Sequence, residues 1–197
     1  EYKTQSRGGV GQKASTTSDQ DFLEHLFVSS NHQYLLFFTQ KGKCFWMRVY
    51  EIPEGSKTAK GRAVQNLINI EQDDKIKAFV SVQNLKDEDY ISSNYLIMAT
   101  KQGIVKKTLL KEYSRPRQNG INAITIKEGD ELIEAKLTSG SSQLMLAVKS
   151  GRAIRFGEDK VRAVGRNSQG VRGIDLDTET DEVVGMIAIE NPLEETV

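Results

Sequence analysis

The chain has 197 residues, 38% hydrophobic and 27% charged, enough for one domain or two small ones with a sizeable core. Its 27 basic and 27 acidic side chains cancel, and a net charge of zero speaks against a nucleic-acid binder, which normally shows a basic excess. No apolar run approaches the ~18 residues of a membrane span, and a single cysteine, Cys44, excludes a disulfide framework and suits a reducing cytoplasm.

In chain order, the first feature is Gln5-Ser6-Arg7-Gly8-Gly9-Val10-Gly11. It follows a start at Glu1 rather than Met, with no secretory leader, which reads as a segment of a longer chain. Three glycines around Arg7 permit positive φ and close backbone approach, so exposed amides beside a guanidinium can cradle a phosphate. The plainer reading is a flexible connecting loop. Residues 9–14 also fit Gly-x-Gly-x-x-Ala, but no strand precedes them and the following Ser15-Thr16-Thr17-Ser18 makes a poor helix, so a dinucleotide site is rejected.

Three apolar runs ended by glycine come next: Tyr34–Gly42, Tyr95–Gly103 and Gln143–Gly151. Each predicts a buried strand entering a hairpin turn. A second glycine follows each at an interval of 19, 17 and 19 residues, at Gly61, Gly120 and Gly170, and each opens a similar short strand. Gly11 opens an earlier copy. After each lies an acidic stretch and an alternating run: Phe22–Val28, Lys75–Val82, Glu131–Leu137 and Glu182–Ile189. The polar segment 83–94, containing Asp87-Glu88-Asp89, reads as a loop insertion, and no segment shows a convincing helical period.

The second glycines recur at 50, 59 and 50 residues, so the unit is near 50 residues and holds about four short strands. That size and content predict an all-β, propeller-like array of about four four-stranded blades, spanning residues 1–197 as one repeat-built domain. Zero net charge conceals segregation. Windows 41–62, 101–117 and 149–172 hold 19 of the 27 basic and 5 of the 27 acidic residues, so they are net +14 and the rest of the chain net −14. A solvated surface of mixed charge is the simpler explanation. Recurrence in register favours one basic rim, able to follow a polyanion around a curved surface through backbone contacts.

At this point the sequence resembles a known family. Gln-basic-Arg-Gly-Gly-basic-Gly is the box that marks the C-terminal domain of the DNA gyrase A subunit. Asp21–Val28, Tyr34–Lys43, Tyr50–Glu54, Thr58–Gly61 and the Val161–Gly165 and Gly170–Ile174 motifs look like that domain too. The resemblance implies a β-pinwheel with strands exchanged between blades, and a domain that usually has six. It also implies non-catalytic wrapping of duplex DNA, with little sequence preference. The parent would be an ATP-dependent type II topoisomerase, cytoplasmic and nucleoid-associated in bacteria, that introduces negative supercoils. Its partners would be duplex DNA, the rest of the gyrase A subunit, and the gyrase B subunit. ATP and Mg would belong to the parent complex, with no cofactor, metal or membrane contact in this segment.

The DNA contacts expected on this basis are the box (Gln5, Arg7, Gly8, Gly9, Gly11) and a rim. The rim comprises Lys41, Lys43, Arg48, Lys57, Lys60 and Arg62 in the first unit. The second unit adds Lys101, Lys106, Lys107, Arg115 and Arg117, and the third Arg152, Arg155, Lys160, Arg162, Arg166 and Arg172. Two departures stand out. Ser6 and Val10 occupy box positions that are usually basic. Trp46 stands four residues after Gly42, where the other units carry Lys107 and Arg155; packing within its own blade is favoured over stacking on a sugar or base. Two alternatives remain: the equivalent domain of topoisomerase IV, which guides DNA without strong wrapping, and a propeller-type protein-interaction module. His25 and His32 have no ligand set around them in sequence, and Cys44, beside Phe45-Trp46, reads as a packed thiol.

Overall fold

The computed structural model describes residues 6–9, 28–56, 61–178 and 180–190. In chain order these contain β1 (Tyr34–Thr39), β2 (Lys43–Arg48), β3 (Ile76–Val82), α1 (Glu88–Ser93), β4 (Tyr95–Thr100) and β5 (Ile104–Leu109). Then come β6 (Ile121–Asn122), β7 (Leu132–Thr138), β8 (Gln143–Val148), β9 (Ala153–Gly157), β10 (Val171–Arg172) and β11 (Val183–Ile189).

The strands form three antiparallel sheets, ordered β3-β1-β2-β6, β10-β5-β4-β7 and β11-β8-β9. Each sheet is built on a glycine-ended hairpin, β1–β2, β4–β5 or β8–β9. The alternating run that follows joins the inner strand of the hairpin. The short strand after the second glycine crosses instead to the preceding sheet: β6 pairs Lys43 and Cys44 of β2, and β10 pairs Ile104 and Val105 of β5. Adjacent units therefore exchange strands.

Sheet packing explains the apolar runs. Leu36, Phe38, Val80 and Val82 of the first sheet meet Leu96, Met98 and Ala135 of the second in one core. Ile97, Ala99 and Val105 on the opposite face of the second sheet meet Leu144, Leu146 and Met186 of the third. A strand buried on both faces has no need to alternate, hence Leu35 through Thr39 and Leu96 through Thr100 are all buried.

Two glycines show why the motif takes this residue. Gly103 has φ +84°, and a Cβ there would lie 2.7 Å from the Ile174 carbonyl oxygen; Gly170 has φ +97°, and its Cβ would lie 2.5 Å from that of Val105. Both the turn and the exchanged strand require a bare backbone.

The structure differs from expectation in three places. The described residues hold three sheets; the fourth blade expected around Gly11 and Phe22–Val28 falls, except for Val28, outside them. The stretch opened by Gly61 is coil followed by a 3-10 turn, Val64–Asn66, with nothing within 4 Å of a Gly61 Cβ and no described strand to receive it. Segment 83–94 contains the six-residue helix α1 rather than loop alone. Asp87 caps it by accepting from the Asp89 and Tyr90 amides, each at 3.1 Å, and Glu88 and Asp89 favour the helix N-terminus. Six residues are too few to reveal a helical period.

Candidate nucleic-acid interface

The expected cations fall into three environments. Those beside the hairpin turns are held by acids. Lys41 reaches Glu71 at 3.0 Å and Asp73 at 2.6 Å, and Lys43 also binds Glu71. Lys43, then Lys41, draw the Glu71 carboxyl down to about 2. Lys101 reaches Glu182 at 2.9 Å and Glu131 at 3.6 Å, and Arg152 reaches Asp177 at 3.0 Å and Asp181 at 3.8 Å. The acidic stretches thus fold onto the hairpin turns, and the expected separation into a basic rim and an acidic region does not hold there.

A second group is internal. Lys106 is fully buried, and Lys107 is 6% exposed. The Lys107 ammonium lies 3.2 Å from the buried Glu158 carboxylate and 4.3 Å from the centre of the Tyr95 ring. Lys106 donates to two backbone carbonyls, of Ala123 at 2.6 Å and of Arg166. Burial, and then the Arg166 guanidinium, pull its ammonium down to about 7. Neither lysine presents its charge at the surface, which corrects their expected place on the rim. The physical reason is strand exchange: β10 and the loop before it lie along β5, where Val164 N–H donates to the Lys107 carbonyl at 2.9 Å.

The third group is free. Arg62, Arg115, Arg117, Arg155 and Arg162 are exposed and form no ion pair with a described residue, and Arg7, Gly8 and Gly9 form an exposed turn. Arg166 is half-buried, its Nη1 donating to the Asn122 carbonyl at 3.2 Å and its Nε 3.9 Å from Glu112. Arg48 lies 4.3 Å from the Tyr34 ring centre, while Lys160 and Arg172 are exposed beside Asp159 and Asp175. Arg115, Arg117, Arg166 and Lys111 converge on one hollow of about 360 Å³ with Glu88 and Glu112 on its wall. Lys111 pairs with Glu88 at 2.8 Å and Arg166 stands beside Glu112, so Arg115 and Arg117 are the cations of the hollow that form no ion pair with a described residue. Gln5, Gly11, Lys57 and Lys60 lie outside the described residues.

Trp46 packs within the fold and donates its indole N–H to the Tyr113 carbonyl at 2.9 Å. Cys44 is buried, which pushes its thiol well up. Among the described residues, no three His, Cys, Asp or Glu gather as metal ligands, and no helix is long and apolar enough to cross a membrane.

One set of residues escaped sequence reasoning. Asp74, Asp130 and Asp181 each accept from a backbone amide of a hairpin turn, of Lys41 at 3.0 Å, Gln102 at 2.9 Å and Ser150 at 3.2 Å. The available signal was an aspartate directly before every alternating run.

This geometry agrees with comparison to known proteins. The family described as "DNA gyrase C-terminal domain, beta-propeller" matches residues 1–30, 33–93, 94–139 and 143–190. The DNA gyrase A subunit of Salmonella typhimurium is 43% identical over 187 residues, 95% of this chain and 21% of that protein. The Staphylococcus aureus protein is 41% identical over all 197 residues, 22% of its own length. The chain therefore spans about a fifth of the curated relatives it matches. Among solved structures, the C-terminal domain of DNA topoisomerase IV superposes with a TM-score of 0.76 at 29% identity, covering 91% of this chain and 54% of that one. A DNA gyrase A C-terminal domain superposes at 0.71 and 23% identity over 96% of this chain and 59% of that one, a likeness of fold. With the glycine-ended hairpins, the exchanged strands and the matched residues running through every unit, the chain belongs to the DNA gyrase C-terminal domain, beta-propeller family.

Proposed function

We propose that this chain is the non-catalytic, DNA-binding part of a gyrase A protein and that duplex DNA is bent along its arginine-bearing loops. The observation that carries the reading is the sorting of cations. Turn-side lysines are held by acids, whereas the loops before Gly120 and Gly170 keep Arg115, Arg117 and Arg162 free, and Arg62 is free just after Gly61. Equivalent loops of successive units offer a curved track of guanidinium groups, suited to phosphate oxygens and indifferent to base sequence. In the parent enzyme, which would use ATP and Mg elsewhere and act with the gyrase B protein, such wrapping would orient the duplex for strand passage and negative supercoiling.

The test measures duplex affinity against salt, together with the writhe trapped in relaxed circular DNA by a nicking-closing enzyme. Arg115→Glu/Arg117→Glu should weaken binding about tenfold or more at low salt and flatten the salt slope by about 0.9 per lost contact. Lys41→Gln/Lys43→Gln should change little. Unchanged affinity in the arginine variant would overturn the reading.

The guiding role of a topoisomerase IV domain is a second reading. Ser6 and Val10 in the box favour it, as does the likeness to a topoisomerase IV C-terminal domain. Salt-sensitive binding without trapped writhe would select it.

A further inference from the structure

Lys106 sits where three units meet. It belongs to β5 of the second sheet and is fully buried. Its ammonium donates to the Ala123 carbonyl, one residue beyond β6, the strand lent to the first sheet. It also donates to the Arg166 carbonyl, in the loop that leads to β10. Tyr113 supports the same point by donating its hydroxyl to the Ala123 carbonyl at 3.0 Å. The Arg166 side chain returns to this segment through the Asn122 carbonyl, and Lys107 holds the loop on its other side through the Val164 amide. The loop backbone is thus tied to β5 and to the end of β6 by one internal amine.

We infer that Lys106 is a positioning residue of the rim: from inside the fold it fixes the loop that carries Arg166, and so shapes the arginine hollow, without touching phosphate itself. This rests on the proposed reading of the rim as a DNA surface. The anchor is the pair of N–H donations, which meet two carbonyls where water is absent and which the neutral amine can also make. Arg166 from the loop and Glu112 from the turn after β5 act on the ammonium directly, with the Tyr113 hydroxyl and the Cys44 thiol in the same core. Any opening that releases the loop returns the amine to water, where it binds a proton more strongly. Between pH 7 and 8.5 opening therefore takes up a proton and becomes less favourable as pH rises, by up to about tenfold per unit.

The test compares the wild-type protein with Lys106→Met by amide exchange without DNA, corrected for intrinsic rates, and by duplex affinity at low salt. In the wild type, protection of residues 163–168 should rise from pH 7 to 8.5. In Lys106→Met it should fall about tenfold at pH 7 and lose this pH dependence, while β4 stays protected. Duplex affinity should fall several-fold. Wild-type protection in this loop with no pH dependence would overturn the inference, and that measurement decides even if the variant fails to fold. A folded variant with unchanged loop protection would also overturn it. A wild-type protein that binds no duplex would sink the DNA reading alone, leaving exchange to judge the anchor.

Discussion

Ion pairs in this fold differ by how much water they keep, and their residues should respond differently to substitution. Lys107 and Glu158 are nearly dry, so removing one partner leaves a buried charge. Glu158→Gln should cost about 3 kcal/mol, whereas Lys107→Met/Glu158→Met should cost less than that single change, measured by urea unfolding. Lys106 makes stability depend on pH. Its folded value, about 7, lies below its unfolded one, so the unfolded chain holds the extra proton between them. Stability should therefore rise from pH 7 towards 10, by at most about 1.4 kcal/mol per unit, and Lys106→Met should flatten that rise. These lysines were illegible in the sequence. Lys106-Lys107-Thr108 reads as a polar, exposed run, and partners 17 to 60 residues away, Ala123, Glu158 and the loop lying along β5, make it interior.

Elements were legible where backbone geometry demanded a residue type. The recurring glycines marked hairpin turns and exchanged strands because all adopt positive φ in the described residues, and at Gly42, Gly103 and Gly170 a side chain would also meet a neighbouring carbonyl. Gly170→Ala should cost about 2 kcal/mol and expose the β5 edge to exchange. Gly61→Ala meets no neighbour and should cost less, the backbone strain alone. The glycine spacing carried no statement of which sheet each short strand joins; the family resemblance supplied exchange, and pairing of β6 with β2 gives it a register. Helix α1 was missed because its determinants are an aspartate cap and one buried side chain, Ile91, not a periodic face. Asp87→Ala should cost about 1 kcal/mol and loosen the Glu88–Lys111 pair, seen as faster exchange in α1.

At the scale of the whole molecule, charge counting by window was half informative. It found the basic segments but not their neutralisation, because Lys41 and Glu71 are 30 residues apart and meet only when β3 closes on β1. Of the cations expected on the rim, those that survive folding exposed and without an ion pair to a described residue are arginines: Arg62, Arg115, Arg117 and Arg162 in loops and Arg155 on β9. DNA binding should accordingly resist loss of the turn-side lysines and fail on loss of the loop arginines, a contrast that salt titrations of both variant sets would read directly.

The exchanged strands have a mechanical consequence. The loop bearing Arg115 and Arg117 runs into β6 on β2, and loop 162–169 into β10 on β5, each a two-residue strand stitched to the sheet before it. Tension from a bent duplex on one loop would be borne by the neighbour's sheet edge, as shear on two residue pairs. Load would pass upstream from unit to unit, so a resisting polymer would strain the stack as a single spring.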